Sequence, residues 1–94
     1  MRTEMTTLID RLLSANIPFE LTADVCGNEN NQIWYPSYKD FKCDVICHMG
    51  SLGGSEGLLE IRGLVDADED RYGGVAGYLS AENVFARIYT DFMN

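Results

Sequence analysis

Residues 43–63 read CDVICHMGSLGGSEGLLEIRG, and the fold turns on whether this stretch is a hairpin or a reactive centre. Cys43 to Cys47 and Leu58 to Arg62 read as two strands, and the glycine-rich run between them carries turn residues. Pairing Met49 with Gly57 sets Cys47 opposite Leu59, Val45 opposite Ile61 and Asp44 opposite Arg62. That register leaves one face apolar. The other carries Asp44, Ile46, His48, Leu58, Glu60 and Arg62, with one charge pair directly opposed. The register is self-consistent, so the stretch is read as a hairpin with inward-facing cysteines.

The flanking segments extend the same sheet. Upstream, Phe19, Leu21, Ala23 and Val25 alternate with Glu20, Thr22 and Asp24, the period of a strand with one wet face. The run at 27–31, GNENN, supplies a turn, and Gln32 to Tyr35 returns as a second strand that Pro36 ends. Downstream, DADEDRYGG (66–74) is too acidic and glycine-rich to continue a sheet, and Val75 to Leu79 is either a short edge strand or an extended connection. Helices close both ends. Met5, Leu8, Ile9, Leu12 and Leu13 repeat at helical spacing over residues 4–14 behind the N-cap Thr3, with Asn16 as the stop. Ser80 caps a second helix over 81–92, with Val84, Phe85, Ile88, Tyr89 and Phe92 on one stripe. The expected fold is α+β: one domain spanning 1–94, an antiparallel sheet of three to five strands, and both helices on one face.

Charge narrows the partners. Fifteen acidic against seven basic residues give a net charge of −8, which repels nucleic-acid phosphates and anionic membranes. Direct nucleic-acid binding and membrane binding are therefore not expected. The N-terminal MRTEMTTLIDRLL is broken by Glu4, Asp10 and Arg11 and lacks the apolar centre of a signal peptide. Three cysteines, Cys26, Cys43 and Cys47, are an odd number in such a chain and read as reduced thiols in a cytoplasmic protein.

Several chemical readings fail on spacing. Cys26, Cys43, Cys47 and His48 are ligand types for zinc, but Cys43 and Cys47 in one strand lie about 13 Å apart. Adjacent Cys47 and His48 point to opposite faces, so the imidazole cannot activate the thiol. The loop MGSLGGSEG (49–57) has no lysine and leads into a strand, unlike a phosphate-binding loop, and reads as a mobile hairpin loop. Asp66, Asp68 and Asp70 match the start of a calcium loop, but Arg71 and Gly77 stand where glycine and glutamate are needed. No catalytic residue, cofactor or metal is assigned.

Two surfaces remain as candidates for contact with a protein. One is the acidic segment Asp66, Asp68, Glu69 and Asp70, which can present carboxylates to a basic, nucleic-acid-binding surface. The other is the uncovered sheet face, where Trp34, Ile46 and Leu58 interrupt polar neighbours such as His48 and Glu60. At WYPS (34–37), CDVICH (43–48), GLLEIRG (57–63) and GYLSAENVFARI (77–88) the chain resembles a group of small uncharacterised proteins of Gram-positive bacteria and their phages. The resemblance implies a cytoplasmic, phage-linked accessory role and carries no catalytic residues across. The expectation is thus a small acidic, non-enzymatic protein-binding module. Its alternatives are a small enzyme or ligand-binding domain centred on His48, Cys47 and Glu60, and a homodimer joined through Ile46 and Leu58.

Overall fold

Thr3 and Ser80 begin the two helices. In a computed structural model that describes residues 3–94, Thr3 Oγ1 accepts from the Thr6 N–H at 3.1 Å and Ser80 Oγ from the Asn83 N–H at 3.1 Å. Each bond satisfies one donor that a helix start otherwise leaves open. Helix α1 spans Glu4–Ser14 and helix α2 Ala81–Met93. Asn16 follows the first helix at φ 57°, a left-handed conformation that asparagine tolerates, and turns the chain toward the sheet.

Five strands lie between them: β1 (Glu20–Thr22), β2 (Gln32–Pro36), β3 (Phe41–Ile46), β4 (Leu59–Arg62) and β5 (Val75–Leu79). They pair in chain order, each antiparallel to the next. Val75–Leu79, undecided between strand and connection, is the edge strand β5. The register of the central hairpin is the expected one, with Asp44 opposite Arg62 and Val45 opposite Ile61. The ladder ends at Ile46 opposite Glu60, short of the expected Met49–Gly57 pair.

Alternation along the strands sorts the sheet into two faces. Ile33, Val45, Ile61 and Ala76 are cross-strand neighbours in one row, with Tyr35 and Cys43 in the next. These residues and Leu59 share one buried cluster with Met5, Leu8 and Leu12 of α1 and with Ala81, Val84, Phe85 and Ile88 of α2. The two helices are tied to each other as well. Arg11 Nη1 meets Glu82 Oε1 at 3.0 Å, and Glu4 Oε1 accepts from the Ala81 N–H at 2.6 Å.

Four expectations need correction. The first strand is only three residues long, because Asp24 is drawn inward to accept from the backbone N–H groups of Cys26 and Asn28 and from the side chains of Asn28 and Asn31. Asp24 is buried and Val25 is 88% exposed, the reverse of the alternation. Leu13, Tyr89 and Phe92 lie on the helices' solvent side, whereas Ala81 joins the core. Trp34, expected to stand open on the outer sheet face, is only 9% exposed, because Tyr38 and Phe41 pack against its ring; of the cysteines, Cys43 is fully buried and Cys47 partly so, as the hairpin reading expects, and Cys26 is exposed. Finally, the run at 49–57 folds into a 3-10 turn at Gly54–Glu56 and packs back on β5.

Candidate functional site: a trough on the open sheet face

The row opposite the core face runs Gln32, Ile46, Glu60 across β2, β3 and β4, and the next row runs Trp34, Asp44, Arg62. Ile46 is therefore flanked by two polar side chains, and His48 follows just beyond the end of β3. These residues and Val25, which reaches in from the Asp24 turn, line a concavity of about 320 Å³. Of the contact residues expected from sequence, Trp34, Ile46, His48 and Glu60 come together here. Leu58 does not; it is half-buried beside Gly53.

Asp44 anchors one end. Only 4% exposed, its carboxylate accepts from Arg62 Nε at 2.7 Å on Oδ1 and from Gln32 Nε2 at 2.8 Å on Oδ2. A buried charge needs such partners, since an unpaired one costs several kcal/mol. Trp34, largely buried, backs the adjoining wall. Its Nε1–H donates to Thr22 Oγ1 at 2.8 Å, and its ring meets Tyr38 and Phe41 edge-on at centroid distances of 4.9 and 4.8 Å.

At the other end the 49–57 loop shapes the rim. Glu60 Oε1 accepts from the Leu52 N–H at 2.7 Å, and the Leu52 carbonyl accepts from the Tyr78 N–H at 3.2 Å. Glycine at 77 permits this packing, because a Cβ there would collide with the Leu52 side chain. His48 closes the turn: its N–H donates to Ser51 Oγ at 2.9 Å, and its Nδ1 accepts from the Gly50 N–H at 3.1 Å. The neutral ring then carries its proton on Nε2.

The acidic segment is a separate surface, and two of its four carboxylates, Asp68 and Glu69, are ion-paired within the molecule. Arg87 grips Glu69 with two bonds, Nη1–Oε1 at 2.7 Å and Nη2–Oε2 at 2.8 Å. Those bonds foremost hold the Glu69 carboxyl down to about 2. Glu69 and Asp66 also exchange backbone-to-carboxylate bonds, each 2.9 Å, and Asp68 pairs with Arg71 at 2.8 Å. Asp66, Asp68 and Asp70 remain exposed. A shallower groove of about 610 Å³ runs from this segment along α2. Its charged groups already have partners: Arg87 has Glu69, and Asp91 has Lys42 and the Tyr35 hydroxyl.

Cys47 and His48 project to opposite sides, Cys47 against the core and His48 into the trough. Burial pushes the Cys43 thiol up to about 12 and raises that of Cys47, with the Asp24 charge adding to the latter. No three His, Cys, Asp or Glu side chains among the described residues are grouped to hold a metal ion, and no helix among them is long and apolar enough to cross a membrane.

Gln32, Val25, Asp44 and Arg62 complete the trough but were not assigned to a contact site from sequence. The alternation through Gln32-Ile33-Trp34-Tyr35 and the Asp44–Arg62 register carried the signal for three of them. Nothing local to Val25 announces that it leaves the strand. Comparison of the chain with protein families, with curated proteins and with solved structures finds no match.

Proposed function

We propose that this chain is a small acidic protein-binding module that docks its open sheet face on a basic surface of a protein partner. The observation that carries the reading is the trough itself, which gathers Trp34, Ile46, His48 and Glu60 on the sheet face turned away from the helices. Ile46, an apolar side chain among polar groups and backed by the largely buried Trp34 ring, has the make-up of an interface core. The net charge of −8 complements a basic partner and speeds encounter with it, and the exposed Asp66, Asp68 and Asp70 add to that steering. A nucleic-acid-binding surface on a host protein has the required charge. With the resemblance to proteins of Gram-positive bacteria and phages, this makes a cytoplasmic, phage or mobile-element accessory role the proposed setting.

The test is affinity capture from a Gram-positive lysate with wild type and Ile46→Arg side by side, together with the native mass of the bait. A stoichiometric partner that Ile46→Arg loses, and that Asp66→Asn/Asp68→Asn/Asp70→Asn retains at a slower association rate, supports docking through the trough. A partner indifferent to Ile46→Arg, a bait found as a homodimer through this face, or a bait carrying a metal or small molecule overturns it.

A further inference from the structure

Among the hydrogen bonds that shape the trough's rim, one ends on an atom whose role depends on pH. Nδ1 of His48, the chain's single histidine, accepts from the Gly50 N–H at 3.1 Å. The ring lies over that glycine, where a Cβ would meet its Cε1 at 3.5 Å. The rest of the turn is built from groups that do not titrate. The His48 N–H donates to Ser51 Oγ at 2.9 Å, and the His48 carbonyl accepts from the Ser51 N–H at 3.0 Å and from the Ser51 hydroxyl at 2.8 Å. The Ser51 carbonyl then accepts from the Gly54 N–H at 3.1 Å, and Leu52 reaches Glu60 and Tyr78. The turn at 48–51 therefore carries β3 into the rim.

Nδ1 of a neutral imidazole can accept, whereas both nitrogens of the imidazolium are donors, and histidine ordinarily makes this change between about pH 5 and 8. A protonated Nδ1 would meet the Gly50 N–H donor to donor, so the bond is lost outright and the ring turns away from Gly50. The charges around it favour that movement. Asp44 of β3 and Glu60 and Arg62 of β4 line the trough with the ring, and β2 brings only the neutral Gln32 and Trp34 there. Asp44 is matched by Arg62, which leaves Glu60 as the trough carboxylate that draws an imidazolium. The turn that supplies Val25 carries Asp24, enclosed by amide donors, and the exposed Glu29; the loop carries the exposed Glu56.

We propose that His48 is a pH-sensitive latch on the rim: neutral, it ties Gly50 into the 48–51 turn; protonated, it releases Gly50 and adds a positive charge to the sheet face. The test is an NMR titration of the isotope-labelled chain from about pH 8 to about pH 5, following the His48 ring nitrogens and the Gly50 amide. Wild type is expected to show the Nε2–H tautomer at the upper end, and the Gly50 amide should shift with the same midpoint as the ring while the Val45 and Ile61 amides stay in place. His48→Asn supplies the control. Asparagine accepts through its side-chain oxygen from the N–H two residues on and does not titrate, so this variant keeps the turn and should hold the Gly50 amide constant across the range. Glu60→Gln should leave the Gly50 titration intact. An Nδ1–H tautomer at the upper end, a Gly50 amide that ignores the ring, a Gly50 shift that persists in His48→Asn, or one that disappears in Glu60→Gln overturns the latch. The latch is read on the free protein, so its failure leaves the docking face standing, and a partner indifferent to Ile46→Arg leaves the latch standing.

Discussion

Asp44 shows how much of this site depends on one carboxylate. It sits on the solvent-side row of the sheet yet is almost fully covered, held by Gln32 and by Arg62, whose own side chain is 55% exposed. Truncation would leave the Gln32 amide without its acceptor and let Arg62 swing into water, while removing a charge that is costly to bury. Those effects oppose each other, and the lost hydrogen bonds to a charged group should win. Asp44→Ala is expected to lower stability by about 1–3 kcal/mol, read as a lower urea midpoint at unchanged slope, and to disperse the Ile46 and Trp34 NMR signals of the trough. An unchanged midpoint would show that the buried pair adds nothing net. Asp24 plays a comparable part in the first turn, where four amide donors hold its carboxyl far below the usual range.

At the scale of elements, the segment between β4 and β5 is fastened to α2 by Arg87 and Glu69. The Glu69 carboxyl falls from 4.5 to about 2 on folding, so the folded state favours its ionised form. This contribution to stability is fully present above about pH 4.5 and is lost as pH falls toward 2. The expected outcome is a urea midpoint that declines across that window in wild type and declines less in Glu69→Gln, which is already weakened at pH 7. A decline of equal size in both proteins would assign the acid sensitivity to other carboxylates, Asp24 foremost. The central hairpin was legible at this scale: the alternation in Cys43–Cys47 and Leu58–Arg62 sets the observed Asp44–Arg62 register, because a slip of one residue would expose Val45 and Ile61. The helix starts at Thr3 and Ser80 were legible for an equally local reason, a hydroxyl three residues from a free N–H. The first strand was not, since the donors that pull Asp24 inward lie up to seven residues away.

For the whole molecule, charge and shape point to different parts of the surface. The exposed carboxylates of the 66–70 segment act at a distance, whereas the trough, with Asp44 and Arg62 cancelling, acts at contact. Binding of a basic partner should therefore slow as ionic strength rises from about 0.05 M to about 0.5 M, where the screening length drops to several ångströms. Dissociation should change much less. Stopped-flow or surface-based kinetics at the two salt concentrations would read this directly, and a salt effect confined to dissociation would move the dominant charge into the contact itself.

By itself the sequence determined the order of elements, the α+β class, both helix caps and the register of the central hairpin. Each follows from spacing within a few residues or from apolar alternation that only one pairing satisfies. Tertiary structure alone decided which polar groups are consumed and which are left open. Arg87 reaches Glu69 across 18 residues, so the acidic segment is less free than its composition implies. Leu52 reaches Glu60 and the backbone beside Gly77, which turns a glycine-rich loop into the rim of a trough. Burial and pairing are properties of neighbours brought together in space, and a carboxylate in a sequence does not record which cation, amide or open solvent will face it.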